Sequence, residues 1–128
     1  MSGSGIGILR GRRILVAEDE YFIADEVAEA LAEAGAEVVG PAATVEAAQA
    51  LARAEERLDG AVLDANLGGA MIWPVLDALT ARGVPVVLAT GYDAGVIPKA
   101  HADLPRCEKP VAARDVLRAL ARGVAAAG

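Results

Sequence analysis

Aromatic residues are scarce in this chain: one Trp, one Phe and two Tyr make up 3% of its 128 residues. A core with so few rings must be closed by aliphatic side chains. Cysteine is scarcer still. Cys107 stands alone, which excludes an internal disulfide and fits a reducing cytoplasm better than a secreted scaffold. No apolar run approaches the ~18 residues of a membrane span, and no signal-like apolar segment follows the N-terminus. The expectation is a soluble cytoplasmic protein with no membrane insertion. Basic charge is short as well: 12 Lys and Arg against 18 Asp and Glu leave a net charge of −6. Phosphate backbones are bound by clustered cations, so this balance argues against nucleic acid, though it leaves room for a local basic surface. The chain has no G-x-x-x-x-G-K-[ST], and its first strand-like run is followed by acids rather than a glycine loop. Both facts argue against a nucleotide-binding enzyme.

What the chain does have is aliphatic. Its 55% hydrophobic content, much of it alanine, excludes general disorder and points to Ala-faced helices packed closely on a sheet. A chain of this length buries about two-thirds of its unfolded surface, enough for one domain but not for a second output module. Residues 1–11 are Gly- and Ser-rich and then basic, and read as a flexible tail. The domain is expected over 12–123, with a short C-terminal tail at 124–128.

Within it, short apolar runs alternate with helical patterns. A strand over 13–17 leads into Glu18-Asp19-Glu20. A helix over 21–34 follows, with Ile23, Val27, Ala30, Leu31 and Ala34 at helical spacing. A short strand over 37–39 is expected to end at Gly40-Pro41. Thr44 is placed to cap a second helix running to about 57. The run of Ala61, Val62 and Leu63 ends in Asp64 and a glycine loop at Gly68-Gly69. A third helix is expected over 71–82, with Pro74 in its first turn. A strand over 84–89 ends at Thr90, a short strand lies within 104–107, and a last helix spans 111–123. Residues 91–105 hold Gly91, Gly95, Pro98 and Pro105, so a fourth helix there is expected to be short or mobile.

Repeated β-α units with strands that read as buried imply an α/β fold: a doubly wound five-stranded parallel sheet with helices on both faces, flavodoxin-like in order 2-1-3-4-5. Ligands of such sheets sit at the C-terminal strand ends, at the switch point between strands one and three. That topology brings Glu18, Asp19 and Asp64 together. Three acids in one cleft repel unless a cation neutralises them, and an oxygen-only site with few protein ligands suits Mg²⁺. Thr90 and Lys109, at the ends of strands four and five, place a hydroxyl and an ammonium on the same rim. Together these groups form a receptor for a phosphoryl group.

Ile14-Leu15-Val16-Ala17-Glu18-Asp19-Glu20, the Asp64 strand, Val87-Leu88-Ala89-Thr90-Gly91-Tyr92 and Lys109-Pro110 resemble the receiver domain of bacterial response regulators, the CheY-like superfamily. The resemblance covers residues 12 to 123. Leu88-Ala89-Thr90-Gly91-Tyr92 is further similar to the Phe-Ala-Thr-Gly-Tyr signature of the FATGUY-type subgroup, with Leu88 in place of Phe.

The resemblance implies a stand-alone response regulator of two-component phosphorelay signalling. Asp64 would be the phosphoacceptor, taking phosphate from a sensor histidine kinase or a histidine phosphotransfer protein. Asp19 would bind Mg²⁺ directly, Asn66 through its backbone carbonyl, and Glu18 through water. Thr90 would hydrogen-bond the phosphoryl oxygen and Lys109 would ion-pair with it, with a cis bond between Lys109 and Pro110. Donors of the family dock around helix one and the loop after strand five. The output would be a surface offered to a downstream protein, from a monomer or a phosphorylation-dependent dimer, or a phosphate sink. Many receivers carry an aromatic switch residue three positions before the Lys; here that position is Arg106. Tyr92, two residues past Thr90, is therefore the candidate that couples phosphate to the segment after it.

Two other classes remain in view. An aspartyl-phosphate phosphatase usually has a second Asp two positions after its nucleophile, where this chain has Asn66. A phosphate-independent pseudoreceiver would not require the full set of Asp19, Asp64, Thr90 and Lys109. Outside the constellation the readings are structural: His101 on the surface, Cys107 as a small core hydrophobe, Trp73 anchoring helix three, and Glu55-Glu56-Arg57 as a solvated helix end.

Overall fold

The structure, a computed structural model, describes residues 5–90, 104–108 and 112–127, with the backbone alone at Thr90 and Glu108. The elements follow in the order β1 (Arg13–Ala17), α1 (Tyr21–Glu33), β2 (Glu37–Ala42), α2 (Val45–Ala54), β3 (Gly60–Asp64), β4 (Asn66–Leu67), β5 (Ala70–Met71), α3 (Trp73–Ala81), β6 (Val86–Thr90), β7 (Arg106–Glu108) and α4 (Ala113–Ala127). Five strands form one parallel sheet in the order β2-β1-β3-β6-β7. This is the expected 2-1-3-4-5 arrangement once the small β4–β5 pair is set apart. The expected short or mobile fourth helix lies outside the described residues, except for its last two positions.

Alternation along the strands builds two cores, one on each face of the sheet. Leu15, Ala17, Leu63 and Leu88 face α2 and α3. Ile14, Val16, Val62 and Val87 face α1 and α4. Each helix contributes an aliphatic stripe: Ala24, Val27 and Leu31 from α1, Val45, Ala48 and Ala52 from α2, Val75, Leu76 and Leu79 from α3. Alanine at these positions lets helix and sheet approach closely. At the start of β3 even alanine would make its neighbours shift: a Cβ on Gly60 would lie 2.9 Å from Leu120 Cδ1 and 3.1 Å from Ile14 Cδ1. Thr44 caps α2, its Oγ1 accepting from the Ala47 N–H at 3.1 Å, and Pro74 sits in the first turn of α3.

Four local expectations are corrected. The supposed N-terminal tail contains a 3-10 turn over Ile6–Leu9, and Leu9 is fully buried in the α1–α4 core. The last helix continues through the supposed C-terminal tail to Ala127, because Val124 still falls on the buried stripe. Strand β2 runs on through Gly40 and Pro41 instead of stopping there. It does so by an irregularity: Leu15 pairs with Val39 but Ala17 pairs with Ala42, so β2 carries one extra residue. Gly40 occupies it at φ +105°, where a Cβ would lie 2.8 Å from the Val16 carbonyl oxygen. Finally, the glycine loop after Asp64 is an antiparallel hairpin, and α3 starts two residues later than expected.

At the N-terminal edge of the sheet, acids and arginines are interleaved. Arg13 pairs with Glu37 at 3.2 Å and with Glu55. Asp59 Oδ2 accepts from the Arg13 backbone N–H at 2.9 Å and from Arg57 Nε at 3.2 Å. Arg57 also donates to the Gly11 carbonyl at 2.8 Å. The end of α2, expected to be merely solvated, is thus tied down. Arg82 completes it, donating to the carbonyls of Ala52 and Glu55 at 2.7 Å each, where the helix leaves acceptors unsatisfied.

Candidate functional site

The opposite edge carries the chemistry. Ala17 pairs with Leu63 and Asp64 pairs with Ala89, so Glu18, just past β1, and Asp64, the last residue of β3, stand at neighbouring strand ends. Glu18, Asp19 and Asp64 each present a carboxylate oxygen within 4.8 Å of the other two. Glu18 and Asp64 are 6% and 5% exposed, while Asp19 is open to solvent. Two buried carboxylates beside a third form a hard, oxygen-only donor set of the kind that holds Mg²⁺, so the residues present fit that ion.

Backbone amides orient these acids. The Glu20 N–H donates to Glu18 Oε2 at 3.1 Å and the Asn66 N–H to Asp64 Oδ1 at 3.1 Å. The Gly68 N–H donates to Asp19 Oδ2 at 2.8 Å. The β2 irregularity contributes as well: it places the Ala42 carbonyl to accept the Glu18 N–H at 2.9 Å, fixing the chain where the acidic pair begins.

The hairpin amide on Asp19 was not anticipated. Its signal was present, because a Gly-Gly dipeptide is a hairpin-turn marker. Gly68 and Gly69, at φ +59° and +95°, make a two-residue turn with positive φ at both positions, which glycine adopts without strain. The Gly69 N–H then donates to Asn66 Oδ1 at 2.7 Å. At the base, the Ile72 N–H donates to the Ala65 carbonyl at 3.0 Å.

Thr90 ends β6, and its register partner in β7 is Glu108, the residue before Lys109. The backbone thus carries strands four and five to the same rim. Lys109, Pro110 and Tyr92 lie outside the described residues, as does His101. Arg106 is exposed on β7 opposite Leu88. Cys107, next along, packs against the α1–α4 core. Burial pushes its thiol pKa up, with Asp115 adding to the rise and Arg122 opposing it, so it is a poor nucleophile at neutral pH. Trp73 packs against the α2–α3 core at the start of α3, as expected.

Beside the acids, a groove of about 370 Å³ runs between α1 and the end of β2, lined by Tyr21, Ala24, Ala28, Pro41 and Ala43. The outer face of α1 carries Tyr21 and Phe22, 74% and 85% exposed and stacked edge to face. Phe22 shares one face of the helix with Asp25, Glu26, Glu29 and Glu33. Among the described residues no helix is long and apolar enough to cross a membrane.

No protein-family model and no curated protein matches the chain. Solved structures do. SdrG from Sphingomonas melonis Fr1 is 33% identical, with a TM-score of 0.76 over 90% of this chain and 97% of that one. A response regulator receiver protein from Sinorhizobium medicae WSM419 is 22% identical, with a TM-score of 0.79 over 94% of this chain and 99% of its own. The receiver domain of the PhyR response regulator from Erythrobacter litoralis is 21% identical, with a TM-score of 0.75 over 91% of each chain.

Proposed function

The chain belongs to the same family as SdrG and has the receiver fold of response regulators, and from that premise we propose that it is a stand-alone receiver of two-component phosphorelay signalling. The observation that carries the reading is the convergence of Glu18, Asp19 and Asp64 at two adjacent strand ends. Asp64 is the phosphoacceptor. A carboxylate oxygen of Asp64 forms the new bond to phosphorus as the bond to an imidazole nitrogen of the donor breaks, its electron pair staying on that nitrogen. The donor is a sensor histidine kinase or a histidine phosphotransfer protein.

Asp19, Asp64 and the Asn66 carbonyl would hold Mg²⁺, with Glu18 acting through water. A bound ion would supply positive charge against the transferring phosphoryl oxygens. Burial of Glu18 and Asp64 keeps bulk water from screening that charge. Thr90 hydrogen-bonds a phosphoryl oxygen and Lys109 ion-pairs with the group once it is on Asp64. Tyr92 carries the resulting change into the segment that follows it, and Arg106 replaces the aromatic of the usual switch. The exposed face of α1, with Phe22 in its first turn, is the docking surface for the phosphodonor, together with the region of Pro110. Output is a contact with a downstream protein, or withdrawal of phosphate from a shared donor.

The test is intact mass after acetyl phosphate and Mg²⁺, for wild type and Asp64→Asn. A gain of one phosphoryl group in wild type alone is the expected result. An equal gain in Asp64→Asn would move the acceptor elsewhere. No gain from acetyl phosphate or from a phosphorylated donor, together with no spectral response to beryllofluoride, would replace this reading with a phosphate-independent binding module.

A further inference from the structure

The β4–β5 hairpin lies beside the acidic site and touches it at two points. Asn66 opens β4, and its N–H donates to Asp64 Oδ1. At the tip, the Gly68 N–H donates to Asp19 Oδ2 at 2.8 Å. Between them, Asn66 Oδ1 accepts from the Gly69 N–H at 2.7 Å, joining the first strand of the hairpin to its turn. The base is pinned where Ile72, fully buried, donates to the Ala65 carbonyl.

Asp19 is the exposed member of the cluster. A solvent-facing carboxylate keeps its rotamer freedom unless something fixes it, and immobilising it costs entropy on binding a cation. A carboxylate can accept an amide on one oxygen and meet a cation with the other. Groups that orient a metal ligand in this way change affinity without touching the metal.

We propose that the β4–β5 hairpin is a positioning element for the divalent cation, holding the Asp19 carboxylate through the Gly68 amide, with the Asn66 side chain bracing the turn. This rests on the Mg²⁺ reading given above. Asn66 then has two separable parts: a backbone carbonyl that belongs to the metal site, and a side chain that sets the shape of the hairpin. The turn also reports on its own state. Trp73, the single Trp of the chain, begins α3 two residues after β5.

The experiment is a Mg²⁺ titration of the full chain by calorimetry, with Trp73 fluorescence alongside, for wild type, Asn66→Ala and Gly69→Ala. Asn66→Ala keeps the carbonyl and deletes the brace. Gly69→Ala adds a Cβ that meets nothing within 4 Å but strains the turn at φ +95°, so it perturbs the same element independently should the other variant fold poorly. The expected result is a roughly tenfold or greater rise in the Mg²⁺ Kd for both, in the range that orienting groups typically give. In metal-free wild type the Gly68 amide should exchange slowly, and faster in Asn66→Ala. Unchanged Kd values in folded variants would overturn the proposal, as would lowered metal-free melting temperatures with Kd unmoved, the mark of a purely structural role. If wild type itself binds no Mg²⁺, the metal reading falls, and the proposal with it.

Discussion

The two edges of the sheet use acids in opposite ways. At the N-terminal edge Glu37, Glu55 and Asp59 are each met by an arginine, and Asp59 also takes the backbone N–H that starts β1. At the C-terminal edge Glu18, Asp19 and Asp64 are drawn within 4.8 Å of one another and oriented by the amides of Glu20, Gly68 and Asn66. An amide dipole aims a carboxylate without cancelling its charge. The first arrangement ties loops together. The second gathers negative charge at one point, where like charges repel and a cation is favoured. The residue type is the same, and the partner decides whether an acid serves the fold or the chemistry.

Substitutions at the two edges should therefore act with opposite sign. The largest effect is expected at Asp59→Ala. It removes the acceptor of a backbone N–H at a strand start and should destabilise by about 1–3 kcal/mol. Most of that comes from the Arg13 amide, since the exposed Arg57 and the distant Arg12 contribute little. Chemical denaturation checks it, and phosphoryl acceptance by Asp64 should be retained. Asp19→Asn should do the reverse. In metal-free buffer it relieves repulsion and is expected to stabilise by ~1 kcal/mol, an advantage that shrinks as Mg²⁺ is added to both proteins. A loss of stability on Asp19→Asn in metal-free buffer would break the contrast between the edges. The smallest effect on folding is expected at Phe22→Ala. With the ring 85% exposed, stability should change by less than ~0.5 kcal/mol, while transfer from a phosphohistidine donor slows and transfer from acetyl phosphate does not.

The order of strands and helices was legible because the strands are short aliphatic runs that stop at acids or at Thr90, and because α1 repeats its apolar residues at helical spacing. The acidic triad followed from topology: Glu18 and Asp64 are 46 positions apart, and only the pairing of β1 with β3 brings them together. What was hidden depended on contacts made at a distance. Leu9 sits in a Gly-rich stretch with no periodicity, and it is ordered because a pocket beside α4 accepts it. Val124 reads as tail until the helix is seen to carry its buried stripe one turn further. The β4–β5 pair has two residues in each strand, too few for any alternation to register. Gly40-Pro41 reads as a stop, which it would be in an inner strand. In β2 the extra residue absorbs it.

That last feature bears on how the molecule lives among its own copies. Strand β2 is an outer strand of the sheet, and an outer strand offers a row of backbone donors and acceptors onto which another chain can add a strand. Pro41 has no N–H to offer, the extra residue at Gly40 breaks the spacing of the row, and Glu37 puts an exposed charge at its beginning. The kink that sets the Ala42 carbonyl against Glu18 therefore also makes this side of the sheet a poor template. A segment that aims a functional acid doubles as a guard against sheet-to-sheet aggregation.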